Sequence, residues 1–127
     1  MDMGKFEQEF ADGIRLKNLS QNAETLAIFE NLLLHDSKCL NLWLVLGRIH
    51  WIDERYSYAL ACFRCAISVD SDSEIASLSL FHLLWSHGLR QDALDEMNRF
   101  TNSNTSQEYA KILESVNKPF KLAKSDD

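Results

Sequence analysis

Turn formers are scarce in this chain: one proline and four glycines in 127 residues. That scarcity disfavours a β fold, which needs frequent tight turns, and favours helices. Basic charge is also short. Thirteen lysines and arginines stand against nineteen aspartates and glutamates, a net charge of −6. Nucleic acid is therefore not expected as a partner, because its phosphates would be repelled, whereas a basic protein partner is admitted. Long apolar runs are missing too. The best candidate, Leu40 to Ile52, contains Asn41, Arg48 and His50 and falls short of the roughly 20 residues that span a bilayer, so no membrane insertion is expected. The opening residues, MDMGKFEQEF, carry acid where a signal peptide needs a basic and then an apolar stretch. Gly4 is misplaced for myristoylation. Three cysteines, an odd number, suit reduced thiols better than a disulfide framework. The expectation is a single cytoplasmic domain.

What is abundant is apolar residues at helical spacing. Phe6, Phe10 and Ile14 follow it in the first twenty residues, and Leu26, Phe29, Leu33 and Leu34 form a stripe over about 21–35. The stretch from Leu40 to Ser73 holds two helical patterns divided by the polar turn Asp53–Glu54–Arg55. Trp43, Leu46 and Gly47 mark the first helix; Ala59, Phe63 and Ala66 mark the second; Asp70–Ser71 closes the unit. The unit recurs. Gly13 and Gly47, Phe29 and Phe63, and Asp36 and Asp70 are each 34 positions apart, as are Ala59 and Ala93, and Phe63 and Met97. Three units follow, at about 6–39, 40–73 and 74–107. In the third, Phe81 stands where the second has Gly47, which predicts altered helix packing there. Gly88 separates helices at about 74–87 and 90–101. Thr105 with Glu108 reads as a capping box, opening a helix over 105–117 with Tyr109, Ile112, Leu113 and Val116 on one face. Residues 118–127 read as a disordered tail after a domain spanning 1–117.

A helix–turn–helix unit of this length, with an aromatic followed by Leu-Gly and then an Ala, aromatic, Ala series, resembles the tetratricopeptide repeat. The resemblance implies an all-α superhelix of three repeats with a C-terminal capping helix, and a function in binding polypeptides. In such arrays the first helix of each repeat lines a concave face. That face takes Leu44, Arg48, Trp51 and Ile52 from the second repeat. Leu78, His82 and Trp85 come from the third, and Phe10, Ile14 and Lys17 from the first. The Leu40–Ile52 helix is apolar nearly all round, and an apolar remainder needs a cover. About five large side chains at roughly 1.5–3 kcal/mol each give on the order of 10 kcal/mol gross, less at least about 4 kcal/mol for association.

Size, acidity and three repeats are similar to the small tetratricopeptide chaperones of bacterial type III secretion. The resemblance implies a cytoplasmic chaperone or adaptor holding an apolar or amphipathic client segment, as a hetero-oligomer or a homodimer. An immunity protein that neutralises a toxin domain, or a scaffold subunit, are the alternatives. No cofactor is expected. Cys62 and Cys65 form a C-x-x-C, but within a helix rather than at its N-terminus, so small packing residues are the simpler reading than a redox or zinc site. His35, His50, His82 and His87 accompany no nucleophile motif, and Asp70, Asp72 and Glu74 lack the glycine and distal glutamate of a calcium loop. No enzyme is expected.

Overall fold

The computed structural model describes residues 22–125. Among them are six helices and no strand: α1 (Asn22–His35), α2 (Leu40–Ile52), α3 (Tyr56–Val69), α4 (Glu74–Ser86), α5 (Arg90–Thr101) and α6 (Gln107–Ser125). The expected opening helix of the first repeat lies outside the described residues, together with Phe10, Ile14 and Lys17. α2 packs on α3 and α4 on α5, and the two hairpins stack through α3 and α4.

One spacing governs the second helix of each pair. α3 buries Ala59, Cys62, Phe63 and Ala66; α5 buries Ala93, Glu96, Met97 and Phe100, each 34 positions later. That i, i+3, i+4, i+7 pattern is one face of a helix. In α1 the inner places fall to Thr25, Leu26, Phe29 and Leu32. Leu34, expected in the apolar stripe, is 84% exposed, because two residues from Leu32 is about 200° round the helix.

The turns repeat as well. Asp36 and Asp70 each accept a backbone N–H from two residues on, Lys38 and Asp72, at 3.0 Å, closing matching turns 34 apart. The turns inside the hairpins need a left-handed residue. Gly88 supplies it at φ 79°, and Glu54, 34 earlier, adopts φ 62° despite its Cβ. Ser73 caps α4 by accepting the Ala76 N–H at 3.2 Å. At α6 the cap is Ser106, whose Oγ accepts the Tyr109 N–H at 3.0 Å, and not Thr105. Both residue types suit an N-cap, so sequence alone leaves that end one residue uncertain. α6 also continues past 117 to Ser125.

Two core clusters result. One, around Phe29, Leu42, Leu46 and Ile49, joins α1 to α2 and α3; the other, around Phe63, Leu80, Phe81, Met97 and Tyr109, joins α3 to α6. Trp43 packs against both, and its Nε1 donates to the Ser37 carbonyl at 2.7 Å. Gly47 is a contact, not a gap. A Cβ placed there would lie 2.5 Å from Cε1 of the Phe63 ring. In the third repeat the equivalent pair is Phe81 on α4 and Met97 on α5, both buried in the second cluster, so the altered packing expected there sets a large ring on the first helix and a flexible side chain on the second.

A buried polar network ties α6 to the third repeat. Ser77 donates to a Glu96 oxygen at 2.6 Å and accepts from the Tyr109 hydroxyl at 2.7 Å, since the serine proton is already committed. Arg99 donates to both Glu96 oxygens at 2.8 and 2.7 Å and to the Ser71 carbonyl at 3.0 Å. Burial pushes the Tyr109 phenol up to about 12, and burial, then Cys65, pushes the Cys62 thiol up to about 11. Each group is held neutral in the fold and ionises more easily once unfolded. Stability is therefore complete below pH 9, falls first through Cys62 as pH rises towards 11, then through Tyr109 as it rises towards 12, by up to about 2–3 kcal/mol each. Urea unfolding across this range should show Cys62→Ala removing the earlier loss and Tyr109→Phe the later. A flat profile for the parent protein would refute both assignments.

Candidate functional site

α2 and α4 stand side by side with an open groove of about 680 Å³ between them. Its walls follow from helical spacing. On α4, Ile75, Leu78, Ser79 and His82 recur at i, i+3, i+4 and i+7; on α2, Arg48, Trp51 and Ile52 form the facing wall. The floor is Phe63 of α3, which reaches the groove because the bare backbone at Gly47 lets its ring lie close against α2. The Trp51 ring meets Phe63 edge-on, with centroids 6.1 Å apart and planes at 78°. Ile52 and Ile75 are each 66% exposed, an uncommon disposition for two large aliphatic residues that flank one cavity. Arg48 and His82, 34 positions apart, are exposed at the rim, one from each helix.

Of the seven candidate residues within the described range, the structure gathers five on this groove: Arg48, Trp51, Ile52, Leu78 and His82. Leu44 shares their face of α2 but is 8% exposed and belongs to the second core cluster. Trp85 also leaves the groove. It stacks on Phe81 at 5.7 Å and 17°, and the Arg90 guanidinium lies over its ring at 4.5 Å. The turn at Gly88 brings Arg90 back over the end of α4, which spacing along α4 alone does not reveal. Phe63, Ile75 and Ser79 were missed. Ile75 and Ser79 could have been found by extending the period of Leu78 and His82 in both directions.

The remaining reactive side chains sit elsewhere. Cys62 is buried and its thiol is held neutral, which makes it a packing residue and not a nucleophile. Among the described residues no three His, Cys, Asp or Glu side chains gather as metal ligands. His50, 7% exposed, stacks on Tyr58 at 5.2 Å, and its Nδ1 has no hydrogen-bond partner among the described residues. Desolvation, then Arg55, lowers its pKa. It occupies the core position that Leu84 fills 34 residues later. No described helix is long and apolar enough to cross a membrane.

No family model matches the chain, and no curated protein does. Solved structures match its fold. A chain of the CopN–Scc3 complex superposes with a TM-score of 0.78 at 14% identity, over 91% of this chain and 69% of that one. The type III secretion translocator chaperone SycD of Yersinia enterocolitica gives a TM-score of 0.78 at 15% identity, over 90% and 91%. SycD in complex with a peptide of the translocator YopD gives 0.76 at 13%, over 98% and 96%. The fold is thus the tetratricopeptide-like helical array found in type III secretion chaperones.

Proposed function

We propose that this chain is a non-catalytic, cytoplasmic chaperone or adaptor that holds an apolar or amphipathic segment of a client polypeptide in the α2–α4 groove, the client being a type III secretion subunit. One observation carries the reading: a preformed groove walled by Trp51, Ile52, Ile75 and Leu78, two of them mostly exposed. The shared fold with a chaperone solved in complex with a translocator peptide supports it.

Magnitudes limit what the groove does by itself. Phe63 and Leu44 are already buried, so a client gains only on the four wall residues, on the order of 5 kcal/mol gross. That barely exceeds an association cost of about 4 kcal/mol. A tight complex therefore needs contacts beyond the groove.

Trp51 is the expected anchor. Trp51→Ala should weaken client binding by about 2 kcal/mol. It should also cost about 1–3 kcal/mol of stability, since the ring is half-buried against Phe63. Trp43→Ala should cost more, about 3–5 kcal/mol, because Trp43 bridges both clusters. Co-purification from the native cell, followed by titration of the captured client against each variant, checks this. Undiminished binding by folded Trp51→Ala would remove the groove from consideration.

A further inference from the structure

The charge on the groove is opposite to the charge on the chain. The protein carries six more acidic than basic side chains, yet among the described residues no carboxylate lines the groove, and the two ionisable side chains that do, Arg48 and His82, are bases. Four other described cations are engaged, Arg55 with Asp53, Arg99 with Glu96, Lys111 with Glu108, and Arg90 over Trp85, while Lys38 and Arg64 lie away from this groove. Arg48 is exposed and forms no hydrogen bond or ion pair with a described residue. An unpaired guanidinium beside an apolar wall presents a planar fork that matches a carboxylate.

We infer that the groove selects an acidic–apolar peptide segment, in which an aspartate or glutamate meets Arg48 while neighbouring aliphatic or aromatic side chains seat against Trp51, Ile52, Ile75 and Leu78. This rests on the polypeptide-binding reading of the groove. A basic partner, which the net charge admits, is then not what the groove itself selects. The overall negative charge then acts against the client's carboxylate at long range, and the local arginine must outweigh it at contact. Binding of an acidic segment consequently depends on Arg48 itself and not on the bulk potential.

Panning a displayed library of random peptides against the immobilised full chain tests this, with Trp51→Ala and the exposed-site variant Ile75→Ser panned in parallel to define groove-dependent sequences. Ile75 is mostly solvent-facing, so its variant keeps the comparison valid should Trp51→Ala be unstable. Groove-dependent sequences should be rich in Asp and Glu beside large apolar residues. Arg48→Glu should lower the affinity of the selected acidic peptides by about tenfold or more and shift selection towards Lys and Arg. Groove-dependent sequences without charge bias, or already basic, would overturn the inference and leave the apolar groove standing. A complete lack of groove-dependent sequences would overturn both. A dimer of the free protein that Ile75→Ser dissociates would assign the face to a second copy and overturn the acidic partner.

Discussion

Gly47→Leu should cost upward of about 3 kcal/mol, a large share of the 5–15 kcal/mol typical of a domain. A Cβ at this position meets three carbons of the Phe63 ring between 2.5 and 2.9 Å. That ring is fully buried with Trp51 packed against it, so it can yield only towards the groove, giving up its contacts with α2 and the core. Even Gly47→Ala should be a net loss. Overpacking of up to about 3 kcal/mol exceeds the gain of about 1 kcal/mol that alanine brings to a helix interior. Pairing Gly47→Ala with Phe63→Leu should recover part of the deficit. Chemical denaturation of the three variants decides it. If Gly47→Ala is more stable than the parent, the contact is not what fixes α2 on α3.

Glu96→Ala should cost about 2–4 kcal/mol. Two effects contribute: the buried Ser77 hydroxyl loses the acceptor of its proton, at about 1–3 kcal/mol for a buried donor left unsatisfied, and the buried stem of Glu96 leaves a void costing about 1 kcal/mol. Arg99, whose side chain is 38% exposed, turns to water and adds little. Replacing the polar set together, Ser77→Ala with Glu96→Met and Tyr109→Phe, should restore most of the stability, because no buried group is then unmatched. Hydrogen exchange provides the local readout: Glu96→Ala should release α6 amides before those of α2 and α3. A loss below about 1 kcal/mol with α6 protection unchanged would refute the network's role.

The 34-residue register made the helices, their pairing and the groove face legible in advance, because apolar spacing and repeat length are both properties of the chain alone. What escaped was governed by composition at single places in that register. Glu96 occupies the position of Cys62, a core place, yet a glutamate on an amphipathic helix reads as surface. Only the counterparts Ser77, small where Trp43 is large, and Tyr109 make room for its carboxylate. Trp85 repeats Trp51 in sequence but not in surroundings, since Arg90 across the Gly88 turn covers it. Leu44 lies on the right face of α2 but within reach of the core formed with α4. In each case the missing information was which neighbour arrives from another helix.

The difference in bulk between Gly47–Phe63 and Phe81–Met97 bears on folding fidelity. Repeat chains are prone to pair one unit's helix with the equivalent helix of another. Here the wrong partners mismatch in both directions. α4 in the place of α2 would set Phe81 where Gly47 lies, against a Phe63 ring that leaves no room even for a Cβ. α2 against α5 would set Gly47 opposite Met97 and leave a void. Each hairpin therefore carries its own address in a single pair of side chains, and shuffled or duplicated repeats of this protein should assemble poorly even though their lengths match.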